Sequence, residues 1–322
     1  MIIKIVDLFA GIGGIRLGVE SAAKELKIKT ETVFACDIDE KARSIYRENF
    51  KKPDVQGNIR SIINYKTTIG RHDLLLAGFP CPPFSLAGVV KRNFLNRKHG
   101  FSDRKGNLFP DIMKVLEQTK PKAFLLENVS HLVRHNKGIT FTRMRKALNA
   151  AGYKTINWKI LNAKDFGLPQ SRKRVFIVGF RKKIAFEFPL PVNLNTNVND
   201  ILQNKVNKKY FISAKLWKSH QERKERNKKR GVGFGYSLVK NTDSYTRTLS
   251  ARYYKDGSEI LLKVKGRRVP RKLTPRECAR LQGFPNTFKL HDSDVESYKQ
   301  FGNSVPVPII EAISIEILKN LK

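Results

Sequence analysis

The 322-residue sequence predicts an α/β fold with a mostly parallel sheet, together with a smaller domain that is rich in strands and loops. Five short apolar runs are continuous rather than alternating, as is typical of strands buried on both faces. The segments between them carry apolar residues at three- and four-residue spacing, which indicates helices. After Phe180 the pattern changes to Asn and Lys clusters, glycines and short strand-like runs, which indicates the second domain.

The elements alternate along the chain. The predicted strands are IIKIVDLF (2–9), TVFACDI (32–38), HDLLLAG (72–78), KAFLLENV (122–129) and RVFIVGF (174–180). The predicted helices are GGIRLGVESAAKEL (13–26), DEKARSIYRENF (39–50), NLFPDIMKVLEQ (107–118) and TFTRMRKALNAAG (140–152). Ligands of such a sheet bind at the carboxyl ends of its strands.

The remaining chain defines the domain boundaries. We expect a catalytic and cofactor-binding domain at 1–183, completed by the C-terminal segment 302–322, a smaller domain at 184–274 and a connecting hinge at 275–301. Clear helices are scarce in the smaller domain, where SYTRTLSARYY (244–254) and GSEILLKV (257–264) are possible strands. The sequence T-P-R-E from Thr274 predicts a capping box, and a last helix is expected from about 308 to 321.

The composition indicates a polyanionic partner. A formal charge of +35, with a pI of about 10.3, is typical of a nucleic-acid-binding protein, although a Lys-rich proteome is the simpler alternative. The three cysteines are widely spaced, which argues against disulfides and for a reducing compartment. The histidines form no metal-ligand pattern, and no apolar run reaches membrane-spanning length, so we expect a cytoplasmic protein without a metal.

Two features of the first strands predict a nucleoside cofactor. DLFAGIGGIRLG (7–18) places glycines at a strand-to-helix turn, where backbone N–H groups can meet a ligand. It does not match GxGxxG, because Arg16 stands at the last glycine, and a tight turn that needs glycine for packing is the alternative. Asp37 follows the second strand and suits ribose hydroxyls, whereas Asp39 can cap the next helix. These features leave NAD and S-adenosylmethionine both open.

A cysteine and an acid follow the next two strands. Cys81 lies in GFPCPPFSLAG (78–88), where flanking prolines stiffen a loop, and this position suits a nucleophile better than a core residue. Cys36 and Cys278 fit ordinary packing. Glu127, in LLENV (125–129), stands at the carboxyl end of an apolar strand. When partly buried it can be protonated and donate to a ring nitrogen, although a structural acid is the alternative and Asn128 can also cap.

Six ordered motifs resemble the cytosine-5 DNA methyltransferase family, in its prokaryotic restriction-modification form. They are DLFAGIGG (7–14), GFPCPPFS (78–85), LLENV (125–129), QSRKRVFIVGF (170–180), RKLTPRECARLQGFP (271–285) and FGNSVPVP (301–308). Only about 184–270 falls outside the resemblance. It implies a Rossmann-like, S-adenosylmethionine-dependent fold and methylation of a flipped cytosine at C5 within a short duplex sequence.

The resemblance also implies roles for the catalytic residues. Cys81 would add to C6 of the cytosine, and Glu127 would hold and protonate N3. Arg172 and Arg174 match an arginine pair near the base and phosphate, with Arg174 assigned to the cytosine carbonyl oxygen. Cys81 is followed by Pro82, where many members have glutamine.

Cofactor contacts are implied along four segments. Phe9 and Ile38 would contact the adenine, the glycine turn the methionine part and Asp37 the ribose. Asn58 stands where an aspartate often receives the adenine amino group, and its carbonyl oxygen can still accept. The complete expected set is Phe9, Ala10, Gly11, Ile12, Gly13, Gly14, Asp37, Ile38, Asn58, Ile59, Pro80, Asn303 and Ser304.

The region 184–274 stands where the family carries its target-recognition domain. Expected DNA contacts are Ser85, Arg247, Thr248, Arg252 and Tyr253, while the basic run RKERNKKRG (223–231) either contacts phosphate or is a solvated loop. We expect a monomer on double-stranded DNA that needs no direct contact with a cognate restriction endonuclease. A transfer-RNA cytosine-5 methyltransferase and a non-catalytic DNA-binding regulator are the alternatives, and the target sequence stays open.

Overall fold

The computed structural model of the chain describes residues 2–62, 64–79, 108–192, 194–233 and 235–322. The chain forms two compact units. Unit 1 comprises Met1–Leu161, Lys173–Leu190 and Ile309–Lys322, and unit 2 comprises Asn162–Arg172 and Pro191–Pro308. The observed division differs from the expected boundaries, because 162–172 and 275–308 belong to unit 2 and 184–190 belongs to unit 1.

Unit 1 contains a seven-stranded sheet of order β3-β2-β1-β4-β5-β7-β6. Its strands are β1 (Ile2–Leu8), β2 (Lys29–Cys36), β3 (Val55–Gln56), β4 (Leu74–Gly78), β5 (Ala123–Val129), β6 (Thr155–Asn162) and β7 (Lys173–Phe180). The pairs β1/β2, β1/β4, β2/β3 and β4/β5 are parallel, whereas β5 and β7 are antiparallel. The predicted mostly parallel sheet is confirmed.

The helices of this unit follow the predicted alternation. They are α1 (Gly14–Glu25), α2 (Glu40–Asn49), α3 (Tyr65–Ile69), α4 (Phe109–Thr119) and α5 (Ile139–Ala150). The carboxylate of Asp39 accepts the N–H groups of Lys41 and Ala42, which confirms Asp39 as the N-cap of α2. The five-residue α3, the two-residue β3 and the strand β6 were not predicted. The sequence of β6 alternates at an exposed sheet edge and therefore lacks a continuous apolar run.

Unit 2 has less regular structure. It contains a small sheet of order β10-β9-β8, formed by β8 (Leu238–Val239), β9 (Leu261–Leu262) and β10 (Arg271–Lys272). Its helices are α6 (Ala214–Lys229), α7 (Pro275–Leu281) and α8 (Asp294–Asn303). Thr274 and Glu277 form the predicted capping box at α7. The stretch 244–254 is not a strand, because it forms only one isolated bridge, from Thr246 to Gln170, followed by turns.

The basic run 223–231 is not a loop. Most of it lies in α6, whose 16 residues are almost entirely polar, so the periodic apolar signal of a helix is missing. One side of the helix is nevertheless anchored. Arg223 donates to the carboxylate of Asp256 at 3.1 Å and to the carbonyl of Gly235 at 2.9 Å, and the ring of Trp217 packs edge-on against Tyr236.

The last helix, α9 (Val307–Lys319), confirms the predicted C-terminal helix. Its residue Ile310 approaches Gly18 of α1 closely, and Glu311 accepts a hydrogen bond from Ser21. Within the described ranges one stretch, 294–319, which contains α8 and α9, is long and apolar enough to cross a membrane. However, 61% of its most apolar 18-residue segment is buried. Ile309, Ile313 and Ile317 are completely inaccessible, as in a core helix.

Candidate active site

The glycine turn after β1 has two kinds of glycine. Gly11 and Gly13 have φ angles of 54° and 87°, in the left-handed region that favours glycine. A Cβ atom at Gly13 would overlap the ring of Phe50, so this glycine is needed for packing. A Cβ atom at Gly11 would meet nothing within 4 Å. The packing explanation therefore fits Gly13, whereas Gly11 leaves open surface where a ligand can approach the backbone.

Asp37 connects the end of β2 to this turn. Its Oδ2 atom accepts the N–H of Gly11 at 2.8 Å, and its Oδ1 atom accepts the N–H of Asp39 at 2.8 Å. Burial raises the pKa of the Asp37 carboxyl, and the two backbone hydrogen bonds oppose this effect. A carboxylate has about four acceptor positions, so both oxygens can still accept from ribose hydroxyls.

The other expected cofactor residues differ in what they can offer. Ile38 is 75% exposed, an unusual position for a large apolar side chain beside a buried carboxylate. Phe9 is half-buried and packs against the core. Ala10, Ile12 and Ile59 are buried, so only their backbone groups can serve a ligand. Cofactor contact by these three residues therefore stays a prediction for their backbone groups.

Asn58 already has a local function. Its Oδ1 atom accepts the N–H of Arg60 at 3.0 Å and caps a short 3-10 turn, Ile59–Ser61. The side chain is exposed, so the second lone pair of this oxygen remains open to solvent. The contact expected from the aspartate of the family is compatible with this geometry and stays a prediction.

A buried polar cluster beneath the turn was not predicted. Arg16 donates to the hydroxyl of Tyr46 at 3.1 Å and to Glu20 at 2.6 Å, and the Tyr46 hydroxyl lies 3.4 Å from Oδ2 of Asp7. Asp7 is completely inaccessible, and burial raises the pKa of its carboxyl to about 7. In the sequence, the one indication of this cluster is Arg16, which stands where a dinucleotide fingerprint has its last glycine.

Glu127 and Arg174 form an ion pair at the carboxyl end of β5. The Nε atom of Arg174 lies 3.1 Å from Oε1 of Glu127, with side chains 14% and 10% exposed. Strand pairing creates this proximity, because Val129 is opposite Arg174 and Glu127 is beside Gly78 of β4. A buried carboxylate held by a guanidinium is suited to binding a polar ring.

Cys81, Pro80 and Ser85 lie outside the described residues. The chain enters their segment at the carboxyl end of β4, where Gly78 is the register partner of Glu127. The Nδ2 atom of Asn128 donates to the carbonyl of Phe79 at 3.1 Å. Asn128 therefore holds Phe79 and does not cap a helix.

Three of the expected catalytic and cofactor-binding residues belong to unit 2. Arg172 is 1% exposed, and its guanidinium donates to the carbonyls of Leu249, Gly302 and Ser304 at 2.6–2.9 Å. Arg172 thus holds the FGNS segment, and its expected contact near the base stays a prediction. Asn303 is exposed at the end of α8, and Ser304 follows as its C-cap.

The expected DNA-binding residues also divide by burial. Arg247 and Arg252 are exposed. The hydroxyl of Thr248 donates to the carbonyl of Ser171 at 2.6 Å. Tyr253 is completely inaccessible; its hydroxyl donates to Ile260 at 2.6 Å and accepts from the N–H of Leu273 at 2.8 Å. The expectation of a base contact from Tyr253 is therefore wrong, because its only polar atom is used inside unit 2.

Comparisons with known proteins show which proteins the chain resembles. The chain is 46% identical to the Type II methyltransferase M.DsaV of Dactylococcopsis salina over 98% of this chain and 86% of that protein. It is 48% identical to the Type II methyltransferase M.NlaX of Neisseria lactamica over 97% and 95%. The solved structure of the Entamoeba histolytica methyltransferase EhMeth has the same fold, with a TM-score of 0.79 at 24% identity over 100% and 99% of the two chains. The model of the C-5 cytosine-specific DNA methylases matches residues 3–319, and the chain belongs to this family.

Proposed function

We propose that this DNA cytosine-5 methylase acts through a covalent adduct of Cys81, with Glu127 and Arg174 as the groups that bind the cytosine ring. The ion pair between Glu127 and Arg174 carries the proposal. It stands at the edge of the sheet where β4 leads towards Cys81. Both partners can form hydrogen bonds with the polar atoms of a cytosine ring. Arg174 can donate to the ring carbonyl, and Glu127 can bind N3 and the exocyclic amine.

The chemistry explains why these groups are required. C5 of cytosine is too electron-poor to accept a methyl group directly, and addition of a thiolate at C6 makes it nucleophilic. Glu127 donates a proton to N3 while the Cys81 sulfur adds, so negative charge does not accumulate on the ring. Once C5 carries the methyl group, a water molecule accepts the C5 proton and the electrons of that C–H bond re-form the C5–C6 double bond. The C6–S bond breaks to regenerate the Cys81 thiolate, and N3 returns its proton to Glu127. Because C5 lies inside the base stack, the cytosine must leave the duplex first.

The described part of unit 1 also fits S-adenosylmethionine. Gly11 has an open face, and no side chain caps the N-terminus of α1. The backbone N–H groups at the start of α1 can therefore bind a carboxylate. Asp37 and the exposed Ile38 would hold the ribose and one face of the adenine. The bound cofactor supplies an electrophilic methyl group. We expect Asn303 and Ser304 to contribute to the same cofactor site.

The proposal extends to the biological role. The relatives at 46–48% identity are Type II methyltransferases, and we infer that this chain protects DNA as the modification enzyme of a restriction-modification system. We propose that unit 2 recognises a short duplex sequence, with Arg247 and Arg252 as contacts. A cytoplasmic monomer suffices for this reaction, and no contact with an endonuclease is required.

Trapping on 5-fluorocytosine tests the mechanism. A duplex that contains 5-fluorocytosine cannot lose a C5 proton after methylation, so the enzyme should stay covalently attached when S-adenosylmethionine is present. Cys81→Ser should abolish both the attachment and methyl incorporation, whereas Cys36→Ala, at a buried cysteine, should retain both. Equal methylation by the Cys81→Ser enzyme would refute the mechanism. Transfer RNA, offered in parallel, should accept no methyl groups.

A further inference from the structure

The turn between β5 and α5 has a strained backbone. Asn136, Lys137 and Gly138 are three successive residues in the left-handed region, with φ angles of 50°, 53° and 85°. Left-handed conformations are unfavourable for residues other than glycine and persist where the surrounding structure imposes them. An asparagine tolerates this region, but a lysine does not favour it. The position of Lys137 therefore requires an explanation.

Both sides of the turn are anchored in unit 1. Leu132 is completely inaccessible, and His135 is 4% exposed with its Nδ1 atom 2.8 Å from the hydroxyl of Thr140. Arg134, Asn136 and Lys137 are exposed. The fold thus holds a rigid turn that presents two cations to solvent.

The turn lies at the same edge of the sheet as Glu127. The chain leaves β5 two residues after Glu127, and α5 begins only after Gly138. The opposite side of the sheet, at the amino end of β5, is where α5 ends and β6 begins. There the hydroxyl of Tyr153 donates to the carbonyl of Pro121, just before β5. Lys154 is exposed at that opposite side.

No acid in the described part of the chain neutralises these cations. From 128 to 164 the sequence contains eight Lys or Arg residues and no Asp or Glu. In the part of the chain that the structure describes, no carboxylate oxygen lies within 4.0 Å of Arg134 or Lys137. On the outer side of α6, by contrast, Glu222 and Glu225 stand among the basic residues. The 134–137 turn is therefore a fixed cationic surface that follows the carboxyl end of β5 and has no acidic partner among the described residues.

We propose that the 134–137 turn binds the sugar-phosphate backbone of the DNA substrate next to the flipped cytosine, through Lys137 and Arg134. This inference rests on the proposed function, because it requires the cytosine to enter at Glu127. Phosphate is the partner that fits, since the cations are rigidly held, have no carboxylate partner among the described residues and follow the end of β5 that carries Glu127. Such contacts position the duplex and carry no sequence information.

The test is the salt dependence of DNA binding. The dissociation constant of a 20-base-pair duplex would be measured between 50 and 300 mM NaCl for wild type, Lys137→Gln, Arg134→Gln and the control Lys154→Gln. Each lost phosphate contact reduces the slope of log Kd against log salt by about 0.9. We expect that reduction, and about a threefold to tenfold weaker affinity at 100 mM salt, for the first two variants only. Equal behaviour of Lys137→Gln and Lys154→Gln would overturn the proposal.

A glycine substitution separates phosphate binding from a structural role. Lys137→Gly relieves the left-handed strain, so its melting temperature should equal or exceed that of wild type, while DNA affinity falls as in Lys137→Gln. The KM for DNA should rise, with kcat unchanged. Wild-type affinity in Lys137→Gly would refute the phosphate contact. Wild-type enzyme that methylates no DNA would instead reject the proposed function, so the two failures are distinguishable.

Discussion

Arg174 and Glu127 meet across two antiparallel strands, with Nε 3.1 Å from Oε1 and both side chains largely buried. Removing one partner from such a pair leaves a charge without compensation in a poorly hydrated place. The pair therefore keeps a carboxylate and a guanidinium at fixed positions before any substrate arrives. This preorganisation is what stabilisation of a developing charge requires.

We expect Glu127→Gln to reduce kcat by about 10²- to 10⁴-fold, because the amide cannot supply a proton to N3. The variant leaves the Arg174 guanidinium without its carboxylate, so it should be less stable than wild type. It should still bind S-adenosylmethionine as wild type does, because the cofactor residues of unit 1 are separate from this position. Incorporation of labelled methyl groups into unmodified genomic DNA measures the loss. A decrease of less than about fivefold would exclude Glu127 as the proton donor.

Arg174→Lys should not be a conservative change. Lysine keeps the charge but loses the planar donor arrangement that can serve Glu127 and a ring oxygen together. We expect at least a tenfold loss of kcat/KM in the methylation assay, with a melting temperature close to that of wild type. Lys173→Arg, at the exposed neighbouring position, is the matched control and should leave the kinetics unchanged.

Asp37→Asn should weaken cofactor binding about tenfold. Both oxygens of Asp37 accept backbone N–H groups, and the amide nitrogen of asparagine cannot accept, so one of these bonds and one ribose contact are lost. Asp39→Asn is the control, because asparagine is an equally good N-cap for α2. Calorimetric titration with S-adenosylmethionine should separate the two variants. Equal affinities would show that Asp37 does not bind the ribose.

How far the sequence predicted the site depends on the origin of each signal. The glycine turn, β5 and Glu127 were predictable because each stands in or beside a continuous apolar strand. Arg172 and Arg174 are two positions apart in one motif, yet only Arg174 lies in the strand β7 and reaches Glu127. Arg172 precedes the strand and is buried by unit 2. Burial by distant parts of the chain has no local signature, so the two arginines were not distinguishable from the sequence.

Tyr253 offers a test of that distinction. We expect Tyr253→Phe to destabilise the protein by about 1–3 kcal/mol, because the carbonyl of Ile260 and the N–H of Leu273 both lose a buried partner. DNA binding of the folded variant should be unchanged. Arg252→Gln, at an exposed position, should show the reverse result, with normal urea denaturation and weaker DNA binding. A Tyr253→Phe protein of wild-type stability would contradict the buried hydrogen bonds.

Asp7 should make stability depend on pH. Its pKa is about 7 in the folded protein against 3.8 in the unfolded chain, so the folded state binds more protons between these values. The contribution of Asp7 to stability is therefore fully present below about pH 4 and is lost as the pH rises to about 7. The loss is up to roughly 4 kcal/mol at 1.36 kcal/mol per pKa unit. Asp7→Asn removes this term. The difference in unfolding free energy, variant minus wild type, should rise between pH 4 and 7 and stay constant above. Parallel urea profiles would refute the assignment.

The two glycines of the turn should fail in different ways when each is replaced by alanine. Gly13→Ala drives a methyl group into the ring of Phe50, so we expect a loss of at least about 2 kcal/mol in unfolding free energy. Gly11→Ala meets no neighbouring atom and costs only about 1 kcal/mol for its left-handed backbone, but it fills the open surface. Gly11→Ala should therefore lose more free energy of S-adenosylmethionine binding than free energy of unfolding. Unaltered cofactor binding by Gly11→Ala would show that the open face of this turn is not where the cofactor lies.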